Sequence, residues 1–335
     1  MKQANKNNRI AFISFLQFVG VISVIFGHSM NSIPVPTIFT DIKAWIYTYH
    51  MPLFFFISAF LFSYKGGYDQ GYSSVLLKRF WRLIVPYLIW NALFIVPKIL
   101  FKDFIYDEVE LSFRYFFRIM LRPRDNILGH TWFLFALFEM YLIAIFLDKA
   151  KRIKTLWIPV IMLLAVLNAF GVKNRWLAVG DLMMNGVFFW CGLLVGSIPI
   201  DSLKKSLKDK YLTAATVFVT VFTTLVWVFL RDMAINTLVL GFSVLILAMI
   251  LQVKLQLGGG LIEFVSRNSF PIYIMHWPVI MISRLLFYQK LNLPPTAAMA
   301  INAVLGFFIP CGIAFFLRKL KAPWCRKICT VVFGM

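Results

Sequence analysis

The chain has 335 residues, of which 61% are hydrophobic and only 14% charged, well above the apolar share of a soluble domain, roughly 45–50%. Lys and Arg outnumber Asp and Glu by 34 to 14, a formal net charge of +20. The cations fall in short clusters between apolar runs, as lipid headgroups and the positive-inside rule predict, so a nucleic-acid binder is excluded along with a soluble domain.

Ten apolar runs are long enough to cross a bilayer as helices, which needs about 20 residues each. They lie near 10–30, 43–64, 83–101, 131–147, 155–171, 177–197, 211–230, 234–252, 268–288 and 297–317. Barrel strands would instead alternate over about ten residues. The expected fold is an all-α polytopic membrane protein, one bundle of about ten transmembrane helices over 1–335, without a separate soluble domain. The first run follows Lys2, Lys6 and Arg9, and Pro34 and Pro36 stand where a cleavage pattern would follow. It reads as an uncleaved first span.

His28 closes this first span in VISVIFGHSM, about 18 residues and about 27 Å beyond Ile10. His50 opens the second span in YHMPLFFFISAFLF. Between the second and third spans, LLKRFWRLIVPY carries Lys78, Arg79 and Arg82. Residues three apart share a helix face, and two guanidiniums on one face suit phosphate through paired donors. A plain positive-inside cluster is the other reading.

The loop after the third span contains LSFRYFFRIMLR at 111–122, with Arg114, Arg118 and Arg122 at i, i+4 and i+8. This predicts an interfacial amphipathic helix, which is a membrane-surface anchor, a lid over an active-site mouth or a grip on an anionic acceptor. His130 opens the fourth span in HTWFLFALFEM, and Glu139 lies about 13 Å further along it. A carboxylate at that depth pairs with an arginine or hydroxyl, or orients a histidine. Asp181 and Asn185, at i and i+4, interrupt the sixth span. They are candidates for binding a polyol or for interhelical hydrogen bonds.

The glycines of LGGGLIEF at 257–264 are a weak phosphate-cradle candidate. His276 lies mid-span between Pro271 and Pro278, either as a satisfied core residue or on a substrate path. Cys191 and Cys311 read as core residues, and Cys325 and Cys329 in the basic tail lack further ligands. No metal constellation is expected.

The clusters Lys2/Lys6/Arg9, Lys65/Lys78/Arg79/Arg82, Lys149/Lys151/Arg152/Lys154, Lys204/Lys205/Lys208/Lys210 and Arg318/Lys319/Lys321/Arg326/Lys327 all fall on one side when the spans alternate. Both termini are therefore expected in the cytoplasm. His28, His50 and His130 then share the outer level. Ionisable side chains at membrane depth are costly, which makes each a site candidate; a polar cap on a helix end is the other reading for any one of them, and three at one depth weigh against it for the set.

These motifs, in order, resemble the integral-membrane acyltransferase 3 family: His28, then HMPLFFFISAFLF, KRFWRLIVPY, HTWFLFALF and NSFPIYIMHWPV. The resemblance implies O-acylation, usually O-acetylation, of a cell-envelope polysaccharide or lipid-linked glycan in the cell membrane, with acetyl-CoA or another acyl-CoA as donor. It makes His28 the catalytic histidine, and Arg79 and Arg82, with Lys78 beside them, the donor-binding group. His50, His130 and His276 fall on the family's other recurring histidines, and with Glu139, Asp181 and Asn185 they form the expected substrate-binding set. The family often carries Arg or Lys eleven residues before its first histidine, where this chain has Gln17, and a nearby aspartate, where it has Ser14. His28 can act as general base or form an acyl-histidine relay. The competing class is a transporter or glycan flippase. A silent family member assisting polysaccharide-synthesis machinery is a third reading.

Overall fold

A computed structural model describes residues 10–100, 112–149, 153–170, 174–229, 234–320 and 322–334. The cations at 2, 6, 9, 151, 152 and 321 that set the expected orientation, and Leu111 at the start of the expected surface helix, lie outside them.

Among the described residues the architecture is all-helical, without strands. Nine helices are long and apolar enough to span a membrane: Ala11–Ser29, Thr37–Tyr64, Tyr72–Ile99, Gly129–Asp148, Trp176–Gly196, Lys210–Phe229, Ile235–Leu255, Ser269–Lys290 and Pro295–Lys319. The run expected at 155–171 forms a shorter helix, Ile153–Ala169, with Pro159 inside it. At 17 residues it reaches about 26 Å, the lower limit for a span. Its Ile158, Met162, Leu163 and Val166 are exposed on one face, as a lipid-facing stripe would be.

The second span is broken at Thr48 and Tyr49 into helices Thr37–Tyr47 and His50–Tyr64, so His50 starts a new helix. That helix has apolar residues all round, and 11 of its 15 residues are buried. It therefore sits in the middle of the bundle. The neighbouring Val179–Gly196 helix lies directly against it. A Cβ added at Gly192 would come within 2.4 Å of the Phe56 carbonyl oxygen, and one at Gly196 within 2.5 Å of that of Phe60. Small residues four apart let two backbones approach this closely, which is how helices associate without a hydrophobic driving force between them. The sixth run, broken by polar residues in the sequence, is thus a central packing element.

Gly196→Val is expected to lower stability by about 1–3 kcal/mol, the usual cost of overpacking. Gly312 has open space at its Cβ position, so Gly312→Ala should leave stability unchanged or slightly raised. Unfolding in detergent micelles measures both, and equal effects would contradict the close-approach account.

The third span differs from its expected range of 83–101. Helix begins at Tyr72, after Gly71 at φ 78, and continues through a π-helical turn at Phe80–Ile84 into Val85–Leu93. Pro86 has no N–H to return to the preceding turn, and the helix widens by one residue just before it, as π-bulges do. Lys78, Arg79 and Arg82 consequently project from inside a helix rather than from a segment between two spans. Long cationic side chains tolerate this because their stems lie along apolar surface while their heads reach water.

Candidate functional site

His28 sits in the last turn of Ala11–Ser29. Gly27 before it allows the Tyr47 ring to close in, since a Cβ there would meet the ring at 2.6 Å. His50 donates from Nδ1 to the Ile46 carbonyl at 3.0 Å across the helix break, leaving Nε2 as an acceptor. His276 likewise donates from Nδ1 to the Tyr273 carbonyl, and its buried Nε2 has no hydrogen bond among the described residues.

His130 lies in the short turn Gly129–Thr131 that leads into the Trp132–Lys149 helix. Asn91 holds this turn. It accepts from Leu128 N–H at 2.7 Å and donates to Thr131 Oγ1 at 3.0 Å. The Tyr273 hydroxyl donates to the His130 carbonyl.

All four histidines come together. His276 is 5.2 Å from His28 and 5.4 Å from His130 between ring centroids. Tyr47 links His28 at 6.1 Å to His50 at 4.7 Å. His28, His50 and His130 line a chamber of about 890 Å³. His276, fully buried, stands behind them and does not line it. Of its two expected readings, core residue or substrate path, the structure shows it buried and packed against His28 and His130.

Two groups that sequence reasoning missed complete this side. Lys43 Nζ donates to Asn31 Oδ1, which orients the amide so that Asn31 Nδ2 donates to His28 Nδ1 at 3.3 Å. The spacing of Asn31 three residues after His28 was the available signal. The second is Arg124, which lines the chamber and lies 4.1 Å over the Trp132 ring. Its Nε donates to both Asp181 carboxylate oxygens, at 2.9 and 3.0 Å, and Nη2 donates to Oδ1.

Asp181 is buried behind Arg124 and does not itself line the chamber, whereas Asn185 does, with its Nδ2 donating to the Asp181 carbonyl at 3.1 Å. Glu139 lines neither this chamber nor the cavity described next, and its buried Oε2 has no hydrogen bond among the described residues. The helix Phe113–Leu121 forms where a surface helix was expected. Its Phe113, Phe117 and Met120 are exposed, and its Tyr115 lines the chamber.

A second cavity of about 360 Å³ contains Arg79, Arg82, Lys65 and Arg267, together with Ser14 and Gln17. Arg79 is held 4.2 Å over the Tyr141 ring and 5.2 Å over Phe62. Arg79, Arg82 and Lys65 also line an adjoining recess of about 160 Å³, which Lys78 joins. Lys78 donates to Gln70 Oε1 at 3.1 Å. Gln17 accepts from the Ser266 hydroxyl, so a neutral pair occupies the place where the family often has a cation. The glycine run 258–260 lines neither cavity. Among the described residues, no three His, Cys, Asp or Glu side chains are grouped so as to hold a metal ion.

Neither a curated protein nor a solved structure matches this chain. A family model described as an acyltransferase domain matches residues 10–318, a range that contains the four histidines, the arginine pair and, but for Lys319 at the end of the last, the nine candidate spans. With nearly its whole length covered, the chain belongs to the acyltransferase 3 family and is a multi-pass membrane acyltransferase.

Proposed function

We propose that the protein is an O-acyltransferase, acting as one catalytic unit, that carries an acetyl group from cytosolic acetyl-CoA to a hydroxyl of a cell-envelope polysaccharide or lipid-linked glycan. The observation that carries this reading is the pairing of two unlike cavities, one cationic and one bearing histidines, with Tyr273 in the wall of both. Both termini face the cytoplasm of a cell that holds the protein in its plasma membrane. The Arg79 side then opens inward, toward the donor, with membrane lipids around the bundle and polysaccharide-synthesis machinery as the source of acceptor.

The donor's phosphates bind at Lys78, Arg79 and Arg82, where guanidiniums offer paired donors to phosphate oxygens. The glycan occupies the chamber, where Arg124 and Asn185 offer hydrogen-bond donors and His50 and His130 offer imidazole nitrogens. The acceptor hydroxyl takes the place of Asn31 Nδ2 at Nδ1 of His28, the ring nitrogen without a proton, and His28 takes the hydroxyl proton there as the oxygen attacks the thioester carbonyl. The new C–O bond forms, the C–S bond breaks, and the proton passes to the departing thiolate to give free CoA. His276 positions the ring of His28 from behind.

The test is labelled acetyl-CoA with detergent-purified protein and a glycan acceptor. Labelled glycan formed without a sealed vesicle supports the enzyme. Movement of unmodified glycan across a vesicle membrane, with no acyl transfer, would establish the transporter reading in its place. Arg79→Ala and Arg82→Ala are each expected to raise the donor KM by about 10–100-fold, the worth of one charge-assisted contact, with kcat little changed. A fall in kcat at constant KM would place the pair elsewhere than at the donor.

A further inference from the structure

Tyr273, which the two cavities share, packs against two further aromatic rings that line the arginine cavity. Phe54 comes from the His50–Tyr64 helix, Phe133 from Trp132–Lys149 and Tyr273 from Ser269–Ser283. Their centroids are 6.0 Å apart for Phe54 and Phe133, 6.4 Å for Phe54 and Tyr273, and 5.6 Å for Phe133 and Tyr273. All three are buried. Phe54 and Phe133 line the arginine cavity only, while Tyr273, alone among the described residues, lines both.

We propose that Phe54, Phe133 and Tyr273 form an aromatic aperture between the arginine cavity and the histidine chamber, and that its width sets the longest acyl chain transferred. This rests on the proposed use of an acyl-CoA donor, because the acyl end of a donor docked by its CoA phosphates at Arg79 and Arg82 would meet the three rings before it meets His28. The rings are unequally held. Tyr273 is tied through its hydroxyl to the His130 carbonyl, so its movement would disturb the chamber. Phe54 is backed by Gly20, where a Cβ would stand 2.9 Å from the ring. Phe133 packs edge-on against Phe55 at 4.8 Å and makes no polar contact.

Phe133 is therefore the ring that can be reduced with least effect on the chamber. The only hydroxyl in the triad is engaged, which makes the barrier apolar. It excludes the hydrated phosphates and admits an acyl group, and each added methylene must find room between closely packed faces. An apolar site of fixed width discriminates one methylene by about 10–200-fold.

The experiment compares acetyl-, butyryl- and hexanoyl-CoA as donors for wild type, Phe133→Ala and Phe133→Leu, in detergent with one glycan acceptor. Wild type should favour acetyl steeply. Phe133→Ala should raise the butyryl-to-acetyl ratio of kcat/KM by about 10-fold or more, and Phe133→Leu by less. Leu245→Ala, a buried change in another part of the core, should keep the wild-type ratio, which separates aperture size from general loosening.

Phe133→Leu keeps most of the buried volume and carries the test if the alanine variant does not assemble. An unchanged donor ratio in Phe133→Leu with acetyl transfer intact would overturn the aperture, as would a wild type indifferent to chain length. A wild type that transfers no acyl group from any of the three donors would instead remove the donor reading, and the aperture with it.

Discussion

His28→Ala is expected to reduce acetyl transfer by about 10²–10⁴-fold, the usual contribution of a positioned general base, while the helices stay assembled. The contrast with His276 makes this informative. His28 lines an open chamber, so truncating it leaves space that water can fill. His276 is fully buried and its Nδ1 serves a backbone carbonyl. Its removal opens a cavity in the core and should lower thermal stability and activity together.

Acetyl transfer and thermal unfolding, measured on the same purified samples, separate the two cases. His28→Ala should lose transfer at an unchanged melting temperature. Full transfer by that variant would remove His28 from the chemistry and leave Nε2 of His50 as the acceptor nitrogen to be tested on the chamber wall.

Helix existence and the meeting of the histidines were legible because both rest on short-range signals. Apolar run length marks a span, and distance from a span end gives depth, so His28, His50 and His130 could be placed at one level before any contact was known. His276 could not, since a residue near mid-span shows neither which way its side chain turns nor how the helix tilts. The spacing of Arg79 and Arg82 suggested phosphate beside a plain positive-inside cluster, and only the family resemblance made that phosphate an acyl donor's.

The start of the third span was misplaced because the polar stretch at 72–82 looks like a loop by composition. It propagates as helix because its cations can extend along apolar surface. Gly192 and Gly196 carry a small-xxx-small signal, but Asp181 and Asn185 upstream make the run look like a weak span. Arg124 was the least legible. In the sequence it is one more cation of an outer loop, and only the fold carries it to Asp181, 57 positions away.

That pair gives the largest expected effect on stability. The Asp181 side chain is 4% exposed and that of Arg124 is 45% exposed, so the two ends are not equivalent. Arg124→Ala leaves a carboxylate in the bundle with its partner gone, a change that costs about 3–5 kcal/mol when the charge is buried. Asp181→Asn leaves a guanidinium that still rests on the Trp132 face and reaches solvent, and it should cost nearer to about 1 kcal/mol.

The double variant Arg124→Leu with Asp181→Leu removes both charges and should be more stable than Arg124→Ala alone, because no ion is left without a partner. Unfolding of the four proteins in detergent micelles tests this ordering. Transfer should fall in both single variants, since Arg124 lines the chamber and Asp181 aims it. If the double variant were the least stable, with the costs simply adding, the pair would be two independent contacts, and Asp181 would lose its role as the residue that holds Arg124 over the acceptor.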